Sequence, residues 1–218
     1  MIQTVTIQVR PNNAKNDFLL KKTVAERLNI PLSDINEMRI VKRSIDARSR
    51  DIKINLSVLT AYGDDARLPQ EKLLFEKRNV SRQPEVHIIG AGPAGLFAAL
   101  RLIELNFKPI ILEQGKDVSE RKKDIAKLNL NQGCNPLSNY CFGEGGAGTF
   151  SDGKLFTRSK KKGDNRRILE LFVIHGAQHS ILVDAHPHIG SDKLPEVISN
   201  MRKTILECGG EIHFNKEV

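Results

Sequence analysis

Six residues, Gly90-Ala-Gly-Pro-Ala-Gly95, constrain this chain most, because they stand between a short apolar strand signal, EVHII, and a helix signal running from Pro93 to Asn106. Gly90 permits a tight turn, Gly92 lets a pyrophosphate approach the backbone, and Gly95 lets helix and strand pack closely. Pro93 suits the first helical turn, where its missing N–H is not needed. The helix N-terminus offers unpaired amides and the positive end of its dipole to phosphates. PIILE (109–113) is a second strand, ending on Glu113, 23 residues after Gly90. That is near the ~20 expected of an acid that holds a ribose diol. A carboxylate there repels a 2′-phosphate, which disfavours an NADP-type adenosine. Together these features predict a dinucleotide site.

The alternation of strand and helix continues. Residues 116–130 are charged and helix-compatible, Arg166–His175 reads as a helix, and SILVDA (180–185) reads as a strand. Ser191–Cys208 reads as a helix with Pro195 in its first turn, Gly209-Gly210 suits its C-cap, and EIHFNKEV opens a further strand. This order predicts an α/β unit with a parallel sheet. Ahead of it, residues 2–9 (IQTVTIQV) alternate as a strand does. Residues 15–28 place Leu20, Val24 and Leu28 on one helical face. Met38–Ile45 and Ile52–Tyr62 are two more alternating runs joined by DARSRD. The expected organisation is a small basic α+β (βαββ) domain over 1–65, a linker over 66–84 with one short helix, and the dinucleotide domain over 85–218. No catalytic constellation lies in the first domain.

Composition narrows the function classes. The chain has 218 residues, 39% of them hydrophobic and 28% charged, an ordinary globular profile. Its longest apolar-leaning run without charge, His87–Leu100, is fourteen residues, short of the roughly 20 that span a bilayer. The N-terminus lacks the basic and apolar regions of a secretory signal. Three cysteines, Cys134, Cys141 and Cys208, are too few for a disulfide framework and lack zinc spacing. A cytoplasmic setting without a membrane is therefore expected. The formal charge of +8 is spread over both regions, with 15 Lys and Arg against 10 Asp and Glu in residues 1–80. A basic balance attracts anions, but few aromatics and no nucleic-acid motif accompany it, which argues against nucleic acid as a partner.

A second glycine-rich stretch, FGEGGAGTFSDGKL (142–155), follows the dinucleotide motif with five glycines in fourteen residues. With the EQG that ends the second strand and with HPHIGSDKL, it resembles a family of bacterial FAD-dependent dehydrogenase-like flavoproteins with the glutathione-reductase type of FAD fold. The resemblance covers Glu85–Val218 closely and the first domain more loosely, through KRSIDAR (42–48). It implies a Rossmann-like FAD/NAD(P)-binding domain whose later strands lie beyond Val218. It also implies residue roles. Gly90, Gly92, Pro93, Ala94 and Gly95 would cradle the pyrophosphate, and Glu113, Gln114 and Gly115 would surround the adenosine ribose. Arg121 could reach a phosphate or stay at the surface. Gly145, Gly146, Gly148, Thr149 and Ser151 would present backbone or hydroxyl donors to the cofactor. Val218 would touch adenine through its backbone. Asn106 stands where many such folds carry Gly, and Asn tolerates the left-handed conformation required there.

The implied activity is that of an FAD-dependent oxidoreductase, with hydride passing through the flavin and NAD(P)H as donor or acceptor. The small-molecule substrate and the oligomeric state stay open. A second reading is a non-catalytic fragment that binds a nucleotide or nucleic acid. Cys134 and Cys141 are separated by six residues rather than the four of flavin-linked disulfide reductases, which argues for ordinary thiols. His175, His179, His186 and His188 lack a metal-binding pattern and read as surface or loop residues. Lys160–Lys162 reads as a solvated turn. The glycine stretch is expected to fold over the phosphate turn, with Gly145–Ser151 nearest the cofactor.

Overall fold

In the computed structural model, which describes residues 1–155 and 165–218, the alternating stretch IQTVTIQV forms strand β1 (Ile2–Val9) and buries Val5, Ile7 and Val9. Helix α1 (Asp17–Leu28) starts where the side chain of Asn16 accepts the Leu19 N–H at 3.0 Å. It ends where Asn29 adopts a left-handed conformation. Strands β2 (Ile35–Asp46) and β3 (Lys53–Tyr62) complete an antiparallel sheet in the order β1-β3-β2. One face of the sheet packs on α1, and Ile7, Leu20, Val24, Leu56 and Val58 join in one apolar cluster. The βαββ reading of this region therefore describes its elements.

Two stretches depart from expectation. No helix forms between Gly63 and Pro84. Its backbone is claimed by partners distant in sequence instead. The Leu68 N–H donates to Glu37, the Pro69 carbonyl accepts from Arg39, the Leu74 carbonyl accepts from Arg167, and the Val80 N–H donates to the Cys208 carbonyl. The apolar run SILVDA is likewise not a strand of the parallel sheet. His179–Leu182 is a turn of 3-10 helix that buries Ile181 and Leu182. The residues after it meet the free edge of β2. The Arg43 N–H donates to the Val183 carbonyl, the Ala185 N–H donates to the Arg43 carbonyl, and the Arg43 guanidinium grips Asp184 at 2.6 and 3.0 Å. A short apolar run does not reveal by periodicity which element it joins. The chain divides into two compact units, Met1–Lys72 with His179–Pro187, and Leu73–Gln178 with His188–Val218.

In the second unit strand and helix alternate at first, and a run of helices then precedes the last strand. Strands β4 (Glu85–Ile89), β5 (Lys108–Glu113) and β6 (Glu211–Phe214) form a parallel sheet in that order. Helix α2 (Pro93–Glu104) connects β4 to β5 and buries Leu96, Ala99, Leu100 and Ile103 along one face. Helices α3 (Val118–Asn129), α4 (Asn165–Ile174) and α5 (Leu194–Glu207) follow. α5 packs on α2 and β6 and buries Val197, Ile198, Met201 and Ile205. Both helix ends that lead back into the sheet are closed by a left-handed residue. Asn106 has φ 64° and Gly209 φ 88°, each with the paired amide–carbonyl bonds of a Schellman cap. The chain is thus mixed α/β, with one antiparallel and one parallel three-stranded sheet.

The turn between β4 and α2 fixes how closely strand and helix approach. Gly90 has φ 92°, and a Cβ on Gly95 would lie 2.0 Å from the Gly90 carbonyl oxygen. Backbone cannot yield as a side chain can, so Gly95→Ala should destabilise the second unit by about 3 kcal/mol. Gly92, with φ −72° and nothing within 4 Å of its would-be Cβ, should accept alanine within about 0.5 kcal/mol. Urea unfolding of the two variants checks this contrast, and equal stabilities would contradict the packing.

Candidate nucleotide site

Glu113, at the end of β5, is a buried carboxylate whose two oxygens are both used. The Ala91 N–H donates to Oε2 and the Gly115 N–H donates to Oε1, each at 2.7 Å. One side chain therefore ties the turn after β4 to the turn after β5. The chain leaving β6 is drawn to the same place, because the Lys216 N–H donates to the Glu113 carbonyl and the Asn215 N–H to the Gly115 carbonyl. The glycine-rich stretch closes the arrangement. The Gly145 N–H donates to the Ala91 carbonyl at 2.8 Å, and a Cβ on Gly146 would lie 3.1 Å from Pro93 Cδ. The stretch thus folds against the phosphate-type turn, as expected from its sequence.

These elements enclose a cavity of about 280 Å³. Of the residues singled out by sequence, Gly90, Gly92, Glu113, Gln114, Gly146 and Val218 line it. Pro93 and Ala94 are exposed in the first turn of α2 beside it, whereas Gly95 and Gly115 are buried in the packing beneath. The remaining glycine-stretch residues stand off the cavity. Gly145 and Thr149 are buried, and Gly148 and Ser151 are exposed elsewhere on the loop. The two hydroxyls shape the loop itself, Thr149 Oγ1 donating to the Gly146 carbonyl and Ser151 Oγ to that of Gly148. Arg121 is fully buried and lies neither at the surface nor on the cavity. It donates to the carbonyls of Asn139, Tyr140 and Glu144 and to Thr149 Oγ1. Sequence reasoning missed Cys141, Phe142, Gly143 and Lys216, which complete the lining together with the strand ends Ile89 and Leu112. Lys216 brings a positive charge to the wall, and only its distance past β6 hinted at its position.

The two nearby helix N-termini differ. α3 is capped by carboxylates: Asp117 accepts the Ser119 and Glu120 amides, and Glu144 Oε2 accepts the Val118 N–H at 2.8 Å. α2 has Gly92 as its N-cap, and among the described residues no side chain accepts its first-turn amides. The first-turn amides of α2 are thus left for another acceptor, and the turn that carries them opens onto the cavity.

Other candidates resolve differently. Cys134 and Cys141 are free and exposed, and no metal-binding cluster of His, Cys, Asp or Glu occurs among the described residues. His175 is not a surface residue. It is buried, its Nδ1–H donates to the Leu171 carbonyl, and burial holds its imidazole below the usual value. Lys160–Lys162 lie outside the described residues.

Glu144 is the most perturbed group beside the cavity. Burial raises its carboxyl to about 7, while the Val118 amide and Arg202, whose Nε lies 3.1 Å from Oε1, pull in the opposite direction. A folded carboxyl that holds its proton more tightly than the unfolded chain contributes stability below pH 4.5 that is lost as pH rises through 7. Glu144→Gln imitates the protonated form. Relative to wild type, its unfolding free energy should climb by about 3 kcal/mol across that interval. Urea titrations at several pH values measure the difference, and a constant gap would refute the role of burial.

A family described as a domain of unknown function (DUF8436) matches residues 1–61, the span of β1, α1, β2 and most of β3. An uncharacterized protein of Clostridium beijerinckii is 37% identical over 218 residues, covering 92% of this chain and 40% of its own length. That similarity runs through both units, and the chain spans about two fifths of the relative's length. Neither description names an activity, so the functional reading rests on the cavity.

Proposed function

We propose that the second unit is a Rossmann-like site for the ADP half of FAD, within an FAD-dependent, dehydrogenase-like oxidoreductase. One observation carries the reading: the N-terminus of α2, whose first-turn amides meet no side-chain acceptor among the described residues, opens onto the same cavity that the buried carboxylate of Glu113 lines. An anion acceptor and a hydroxyl acceptor therefore stand side by side, as a nucleotide's phosphate and ribose require. The residues present fit the group. No atom lies within 4 Å of a Cβ built on Gly90 or Gly92, so a pyrophosphate has room against the backbone. Glu113 keeps lone pairs beyond those given to Ala91 and Gly115, which can accept from ribose hydroxyls.

In this reading Gly90, Gly92 and the α2 amides hold the pyrophosphate, Glu113 and Gln114 meet the ribose, and the backbone at Val218 borders the adenine. Gly146 and its neighbours close the wall and exclude water. When bound, the flavin supplies hydride transfer, with a nicotinamide or small-molecule substrate as its redox partner. The Glu113 carboxylate repels a 2′-phosphate, so ADP-type adenosines are favoured over NADP-type ones. Among the described residues no helix is long and apolar enough to cross a membrane.

Titration of the purified chain with FAD, followed by flavin fluorescence and by the shift in Tm, tests the reading. FAD and ADP should both stabilise the protein, and 2′-phospho-ADP-ribose should do so at least about 10-fold less well. Gly92→Ala, neutral for the fold, should weaken FAD binding by about 10-fold, because its methyl group occupies the pyrophosphate's approach. A wild-type chain whose Tm responds to neither FAD nor ADP would sink the proposal in favour of a non-catalytic module.

A further inference from the structure

Arg121 is a buried cation whose hydrogen bonds, among the described residues, go to carbonyls and a hydroxyl and to no carboxylate. Nε donates to the Asn139 carbonyl at 2.9 Å and Nη2 to that of Tyr140 at 3.0 Å. Nη1 donates to the Glu144 carbonyl at 2.7 Å and to Thr149 Oγ1 at 3.2 Å, with the Gly143 carbonyl a more distant acceptor at 3.5 Å. The Phe150 ring covers the guanidinium, 5.2 Å from its centroid. Four of its five N–H groups are thereby committed.

The four closest acceptors bracket the cavity wall. Cys141, Phe142 and Gly143 lie between the carbonyls of Tyr140 and Glu144, and Gly146 lies between Glu144 and Thr149; all four of these bracketed residues line the cavity. Gly143 faces both sides, since a Cβ there would meet Arg121 Cδ at 2.7 Å. A loop with this many glycines has many conformations of its own. A buried charge that loses its acceptors is strongly disfavoured, so only loop conformations that present all four acceptors satisfy Arg121.

We propose that Arg121 is a positioning residue: it holds residues 139–149 as the preformed wall of the nucleotide cavity and makes no contact with the ligand. The role rests on the nucleotide reading above. Lysine retains the charge but not the planar fork that reaches carbonyls in several directions. The loop would then be binding-competent only part of the time, and apparent affinity falls by that fraction.

Arg121→Lys, Arg121→Met and Thr149→Val should be compared with wild type in two ways. Hydrogen exchange of the ligand-free proteins reads the loop, and FAD fluorescence titrations at low and high salt read binding. The Arg121 variants should exchange faster within 139–149 and bind FAD about 30-fold more weakly, with an unchanged salt dependence. Thr149→Val, which removes one acceptor, should lose about 3-fold and supports the role even if the Arg121 variants do not fold. FAD affinity within two-fold of wild type in every variant that folds would overturn the role while leaving the nucleotide reading intact. Weaker binding with a flattened salt dependence would also overturn it, because Arg121 would then be touching phosphate. A wild-type chain that binds no FAD overturns the nucleotide reading and this role together.

Discussion

The second unit depends on a single bidentate carboxylate. Glu113 accepts from the amides of Ala91 and Gly115 at 2.7 Å each. It thereby holds the β4–α2 and β5–α3 turns at the same end of the parallel sheet. Removing it would leave two buried donors unpaired in addition to the carboxylate's own loss, and unsatisfied buried groups cost about 1–3 kcal/mol each. Everything else at the cavity is referred to these two turns. Gly145 bonds to Ala91, Gly146 lies against Pro93, and residues 215 and 216 hang from Gly115 and Glu113. Glu113 also lines the cavity, so under the proposed function the group that ties the turns together is the one offered to a ribose.

Around that centre, buried charges divide the work of shaping the loop. Glu144 sits between two glycines, and its parts are used separately. Its carbonyl accepts from Arg121, while its carboxylate caps α3 and meets Arg202. Arg202 in turn lies over the Phe214 ring of β6. One residue of the loop is therefore connected to α3, α5 and the last strand. These links from outside add to bonds within the glycine-rich segment, where the Gly146 amide meets the Gly143 carbonyl and the Thr149 and Ser151 hydroxyls meet those of Gly146 and Gly148.

The first unit is held differently, by apolar burial between α1 and an antiparallel sheet, with β2 as an edge strand. Residues His179–Pro187 shield part of that edge through Arg43 and Asp184. Covering an edge with an irregular segment is a common protection against unwanted strand pairing. Its consequence for the chain is that the two units are interleaved in sequence, and neither is a continuous stretch.

Much of this was legible without coordinates. The βαββ elements and the β4–α2–β5 unit follow from local periodicity, from Pro93 and from the glycines of the first turn, because hydrophobic spacing and backbone permissiveness act over a few residues. Asn106 was readable as a left-handed helix end for the same reason. Only the tertiary structure decided the destinations of Arg121, Ser151 and SILVDA. An arginine three residues into α3 looks like a surface cation until the carbonyls of residues 139–144 have been gathered around it. A hydroxyl in a glycine-rich loop looks available until the loop bends back on its own carbonyls, and an apolar triplet does not state which sheet it will meet. In each case the partner is set by the path of the loop rather than by the residue type, and for Arg121 and SILVDA it lies many residues away. Local sequence therefore determined the elements and the glycine turn between β4 and α2, whereas long-range hydrogen bonding determined how residues 139–149 are held against that turn.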